Sequence, residues 1–150
     1  KLVDRGQEPE YGRDYNIVNI MACGAMVAEA VEASNTLLEE GIFANVINVT
    51  GPGPLYRRFQ ASIGTSMRGE GDVPPFLEDV ITLRERTAPV VTVADGHSHS
   101  LAWIGAAMKT GTFPLGVNRF GQSGSPADLY GEYEIDAESI MAACFGALGT

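Results

Sequence analysis

One stretch, residues 89–133, restricts the fold more than any other: PVVTVADGHSHSLAWIGAAMKTGTFPLGVNRFGQSGSPADLYGEY. Val90-Val91-Thr92-Val93 is short, apolar and β-branched, the pattern of a strand buried on both faces. Asp95-Gly96 breaks it. Leu101, Ile104 and Met108 then recur at helical spacing, with Ser98 or Ser100 available as N-cap. Gly111 is expected to end that helix, and residues 113–117 to form the next strand. Strand, turn, helix, strand is a βαβ unit, and such units build parallel sheets with helices on both faces. Ser125-Pro126, with Ser as N-cap and Pro at the first helical position, opens a further helix.

The first third of the chain repeats the pattern. Residues 16–22 predict a strand, Gly24 a turn, and 25–40 a helix. Val27, Ala30, Val31, Ser34, Leu37 and Leu38 fall on one face of that helix. Glu29, Glu32, Asn35, Glu39 and Glu40 fall on the other. Gly41 is the stop, and 44–49 is a second strand, parallel to the first through a right-handed crossover. Residues 1–4 read as a short edge strand and 6–14 as a polar loop. Gly51-Pro52-Gly53-Pro54 reads as a rigid turn, followed by a short helix at 55–60. Residues 61–73, small, Gly-rich and charged, read as a mobile surface loop. Pro74-Pro75 predicts the start of a helix reaching about Arg86, with Phe76, Val80 and Leu83 inward. Asp136 caps the last helix, where Ile140, Met141, Cys144 and Leu148 share a face. The sum is a single α/β domain of flavodoxin-like type.

Composition limits what such a domain does. At 150 residues, 45% hydrophobic and 19% charged, the chain has material for one core. Its net charge of -9 argues against nucleic-acid and anionic-membrane partners. Cys23 and Cys144 lie in apolar segments and read as free buried thiols. No signal peptide and no apolar run of transmembrane length occurs, so the cytoplasm is the expected location. The chain starts at Lys1, already within a strand-like run, as expected of a piece of something longer.

Ligands of open α/β sheets gather beyond the carboxyl ends of the strands. Those ends offer Cys23, Thr50, Asp95, His97, His99, Arg119, Gln122 and Ser123. Asp95, His97 and His99 sit two apart, a spacing that could face one metal ion. They are short of a third or fourth ligand, because these are the chain's two histidines. Capping and hydrogen-bonding roles fit them better. Ser123 is the nearest approach to a hydrolase nucleophile, without a G-x-S-x-G elbow. G-x-G-x-x-G and the P-loop motif do not occur, and Gly51-x-Gly53 carries prolines that remove phosphate-binding N–H groups. Arg119 suits an anion or an interdomain carboxylate, but a buried or interface salt bridge suits it better. The residues alone assign no catalytic set, leaving a small enzyme using Asp95, His97 and Ser123, or a small-anion module at Arg119, as open readings.

Three stretches together resemble the C-terminal domain of the transketolase-like thiamine-diphosphate enzyme family. They are Asn19-Ile20-Met21-Ala22-Cys23-Gly24-Ala25 before an Ala/Glu-rich helix, Val46-Ile47-Asn48-Val49-Thr50 followed by Leu55-Tyr56-Arg57-Arg58-Phe59, and Asn118-Arg119-Phe120-Gly121-Gln122-Ser123-Gly124-Ser125-Pro126-Ala127-Asp128-Leu129-Tyr130. The last is similar to the family's R-F-G-x-S-G block. The resemblance implies a three-layer α/β/α fold with a mostly parallel sheet of about five strands, the first antiparallel. It implies thiamine diphosphate and Mg held by preceding domains, so that this domain holds no catalytic, cofactor or metal residue. Gly69-Glu70-Gly71-Asp72-Val73 does not match the family's diphosphate motif, because no Asn follows at the needed spacing. Implied partners are those preceding domains, a second copy in a homodimer, and a dihydrolipoyl acyltransferase core. Val-Asn-Val-Thr-like strand endings, Glu134-Ile135-Asp136 and the long connection at 61–88 look closer to the single-chain decarboxylating component of pyruvate dehydrogenase. Ser125 to Tyr130 looks closer to transketolase. Either way the expected role is assembly and docking, through an apolar patch of Trp103, Phe113, Phe120 and Tyr130 around Arg119.

Overall fold

The computed structural model describes residues 1–71 and 76–149. Its centre is a sheet of four parallel strands: β1 (Ile17–Cys23), β2 (Phe43–Asn48), β3 (Val90–Ala94) and β4 (Thr112–Leu115), in the order β2-β1-β3-β4. Residues 1–4 contribute a single antiparallel bridge, Val3 to Val46, on the outer side of β2. The expected count of about five strands is therefore four strands and one bridge.

Helices cover both faces, completing the three α/β/α layers. Helix α1 (Met26–Glu39) and helix α5 (Ala137–Leu148) lie on one side. There Met26, Ala30, Leu37, Ile140 and Cys144 meet Val18, Ile20, Val46, Val91 and Val93. Helix α3 (His99–Met108) lies on the other, with Leu101, Ile104 and Met108 on Met21, Ile47, Val90 and Ala94. Strand residues alternate between the two clusters, as the two-residue period of a strand requires. Helix α4 (Pro126–Glu132) begins at the Ser125 cap, whose Oγ accepts from Asp128 N–H, and α5 begins at Asp136, which accepts from Ser139 N–H. Both caps were legible in the sequence. Gly41 closes α1 as expected, at φ 74°. The buried face of α1 centres on Met26, Ala30, Ala33, Ser34 and Leu37, with Val27 and Val31 at its flank.

Four expectations change. The turn at 51–54, the helix at 55–60 and much of the loop at 61–73 are one helix, α2 (Pro52–Arg68). The first N–H groups of a helix have no intrahelical partner, so Pro52 and Pro54 cost the ladder nothing. Leu55 N–H already bonds the Gly51 carbonyl. The helix expected from Pro74 is absent among residues 76–86, which form turns and a 3-10 turn at Glu85–Thr87. Leu83 is 81% exposed, while Ile81 and Glu85 are buried instead. Pro74 and Pro75 lie outside the described residues. Helix α3 stops at Met108 because Lys109 adopts the left-handed cap, before Gly111 is reached. β4 ends at Leu115, two residues short of the expected strand.

Candidate functional site: the carboxyl end of the sheet

The strand order reverses between β1 and β3: the chain leaves β1 toward β2 and returns to the far side for β3. Crevices form at such points beyond the strand ends. Here the floor is Cys23-Gly24 on one side and Asp95-Gly96 on the other. Gly24 has φ +65°, and a methyl group placed on it would come within 3.1 Å of Asp95 Oδ1. Glycine therefore answers both the left-handed turn and the closeness of the carboxylate. Burial, and then the charge of Asp95, push the Cys23 thiol up from its ordinary value. The thiol form is favoured, which is the wrong state for a nucleophile.

The loop after β3 is zipped to the loop after β4. Val117 N–H donates to the Gly96 carbonyl (2.9 Å), and Ser98 N–H to Asn118 Oδ1 (3.1 Å). A methyl group at Gly116 would sit 2.6 Å from both Gly96 O and Ser98 N, so the two backbones touch. Ser98, one of the two serines expected to cap α3, is its N-cap but makes no side-chain bond there. Asn118 and His97 do that work instead: His99 N–H donates to His97 Nδ1 at 3.3 Å. That bond fixes His97 Nδ1 as an acceptor. The two imidazole rings lie 4.6 Å apart, both exposed.

Asp95, His97 and His99 thus share one loop without forming a catalytic relay. Among the described residues no group of three His, Cys, Asp or Glu side chains is arranged for a metal ion. Gln122 and Ser123 are exposed and make no side-chain hydrogen bond among the described residues. Arg119 is committed elsewhere. It pairs with the Glu132 carboxylate at 3.1 Å, donates to the Glu132 carbonyl, and lies 5.5 Å over the Tyr133 ring. A salt bridge forms at Arg119, but on an exposed surface and not in the buried or interface setting expected. These residues do not suit a diphosphate with its magnesium. Pro52 and Pro54 withhold N–H groups, and Arg119 is already paired with the Glu132 carboxylate.

Phe120 is 95% exposed. Its backbone is nonetheless held, because Tyr133 OH donates to the Phe120 carbonyl at 3.0 Å and Arg119 is tied to Glu132. The rest of the expected apolar patch is partly covered. Tyr130 is half-buried, and Trp103 lies stacked on Phe59 of α2 at 5.5 Å and edge-on to Tyr56 at 5.1 Å. Its indole N–H is satisfied by the Ser100 carbonyl. Phe113, on the edge strand, is 41% exposed.

A second polar centre went unread in the sequence. Glu85 is 1% exposed and receives Lys1 Nζ (2.6 Å), Tyr11 OH (2.6 Å) and Thr82 N–H (2.8 Å). Asn45 reaches Tyr11 OH and Asn19 Oδ1, and Asn19 donates to the Glu85 carbonyl at 2.8 Å. Its one advance signal was the pair Asn19 and Asn45, standing inside otherwise apolar strands and partnered in register.

A family model described as "Transketolase-like TK C-terminal domain" matches residues 8–136. Among solved structures, the chain is similar to "Split gene transketolase, inactive beta4 tetramer" at 24% identity and TM-score 0.60, over 89% of this chain and 40% of that one. It is similar to a transketolase mutant from Pichia stipitis at 19% identity and TM-score 0.58, over 91% and 17%. A transketolase from Campylobacter jejuni subsp. jejuni gives 18% identity and TM-score 0.56, over 89% and 17%. These likenesses are likenesses of fold, and the chain spans well under half the length of each structure. No curated protein matches the chain.

Proposed function

This chain belongs to the family of transketolase-like C-terminal domains, and from that premise we propose that it is the assembly and docking domain of a thiamine-diphosphate-dependent enzyme, non-catalytic in itself. The observation that carries the docking role is Phe120: an aromatic side chain almost wholly in water on a backbone pinned by Tyr133 and the Arg119–Glu132 pair. Presenting a large apolar group rigidly lowers the ordering cost of binding, and aromatic residues with arginine dominate such contacts. Thiamine diphosphate and magnesium belong, in this reading, to preceding domains, with which this one pairs within a homodimer.

Two parent reactions are supported by different residues. Oxidative decarboxylation by the pyruvate dehydrogenase component, with a dihydrolipoyl acyltransferase core as partner, rests on Glu134-Ile135-Asp136. Another of its supports, the long connection at 61–88, is reduced because 61–68 belongs to α2. Ketol transfer between sugar phosphates rests on Ser125 to Tyr130. The small-anion reading is weakened by the pairing of Arg119 with Glu132.

Calorimetric titration of the chain with thiamine diphosphate and magnesium is expected to give no saturable heat. Turnover of pyruvate or of a ketose phosphate is expected once thiamine-diphosphate-binding domains are supplied, and the substrate consumed then chooses the parent. Saturable micromolar cofactor binding by the chain alone would sink the proposal.

A further inference from the structure

Helix α2 has no buried residue along its length, although Phe59 and Ile63 fall on one face. A helix with an apolar stripe needs cover for it. The first half finds cover in the aromatic cluster with Trp103. Among the described residues the second half does not: Ile63 is 37% exposed, and beside it lies a groove of about 480 Å³. The α2 wall is Phe59, Ser62, Ile63 and Ser66, spaced as one helix face. The facing wall is the last turn of α3, Ala106, Ala107 and Met108, and Phe76 closes the end.

The rim is cationic in a chain of net charge -9. Arg86 is half-buried, and its Nη2 donates to the Phe76 carbonyl at 2.8 Å. It meets no carboxylate among the described residues, and neither does Lys109, the other cation lining the groove. Glu78 and Asp79, in the turn after Phe76, are exposed and pair with neither. A half-buried guanidinium lacking an anion gains more from an incoming carboxylate than an exposed one does.

We propose that this groove docks an acidic amphipathic helix of a partner. Its apolar stripe would lie between Ile63 and Met108, with flanking carboxylates on Arg86 and Lys109. Ser62, Ser66, Ala106 and Ala107 are small enough for a third helix to approach at about 8–10 Å between axes. A second copy of this chain is a poor occupant. Its acidic helix, α1, already buries its apolar face through Met26, Ala30 and Leu37. The inference does not rest on the parent-enzyme reading.

The test is fluorescence anisotropy of the chain with two labelled synthetic helices. Both carry leucine at i, i+3, i+4 and i+7; one is flanked by glutamate and the other by lysine. The acidic peptide is expected to bind saturably and to weaken with salt. Arg86→Glu with Lys109→Glu, and separately Ile63→Asp, should each weaken binding by about tenfold or more. Tyr15→Ser, at an exposed position that does not line the groove, should leave it unchanged. Lys109→Glu alone, at an exposed position, keeps the test open if the Arg86 variant does not fold by circular dichroism. Equal binding of the two peptides, no binding, indifference to Lys109→Glu, or occlusion of the groove by self-association would each overturn the proposal.

Discussion

Glu85 shows how a single charge organises its surroundings. Burial pushes its carboxyl upward and is the strongest single influence on it. The donors Lys1, Tyr11 and Thr82 together outweigh burial and bring it from 4.5 down to about 2. The same burial and the same carboxylate push the Tyr11 phenol up, so it remains a donor. A carboxyl depressed on folding stabilises fully above its ordinary value, and that contribution is lost as pH falls through the folded value. Stability is therefore expected to drop between about pH 5 and pH 2, by roughly 3 kcal/mol from this group. Glu85→Gln should cost about 3 kcal/mol at pH 7, by leaving the largely buried Lys1 ammonium only the exposed Asp4 carboxylate at 3.3 Å, and should flatten the acid limb. Urea unfolding of both proteins at pH 7, 4 and 2.5 checks this; parallel pH curves would contradict it. Far from this network, burial drives the Cys144 thiol to about 12, which leaves it inert.

At the scale of elements, α2 and α3 show two ways in which glycine and proline mislead. In α2 the prolines mark a helix start rather than a turn, and once started the helix propagates through Ser, Gly and Thr to the left-handed cap at Gly69. In α3, Gly105 is a contact point. A methyl group there would overlap Thr112 Oγ1 and come within 2.7 Å of Thr112 Cβ, because α3 lies directly on β4. Alanine ordinarily favours a helix over glycine by about 1 kcal/mol. Overpacking costs about 1–3 kcal/mol, so after that gain Gly105→Ala should destabilise by about 1 kcal/mol and at most about 2. In a thermal-unfolding cycle with Thr112→Gly, the double variant should recover at least part of the loss. Additive effects would show that the two residues do not compete for the same space.

For the molecule as a whole, the question is which surfaces remain uncovered. No described helix is long and apolar enough to cross a membrane. Helix α3, apolar nearly all round, is covered on its outer side by Tyr56 and Phe59, which removes Trp103 from the free surface. Phe120 and Phe113 remain. Self-association through Phe120 is expected: static light scattering over a dilution series should show mass rising with concentration, and Phe120→Ser should hold the chain as a monomer at concentrations where the parent associates. A parent protein that stays monomeric at high concentration would refute it.

Periodicity along the chain was enough to determine the α/β class, the parallel pairing of β1 with β2, the two-sided burial of the strands, and the caps at Ser125 and Asp136. Those properties depend on residues within a few positions of each other, which a sequence displays directly. The extent of α2, the loss of the helix before β3, the Glu85 network and the capping of α3 by Asn118 were decided by tertiary structure. The Glu85 network and the capping of α3 depend on partners far apart in the chain, Glu85 with Lys1 and Asn118 with Ser98. The candidate site follows the same division. Asp95, His97, His99 and Arg119 were legible as strand-end residues. That Arg119 is tied to Glu132, and that Phe120 stands clear of the surface, depends on how the loop folds back on α4.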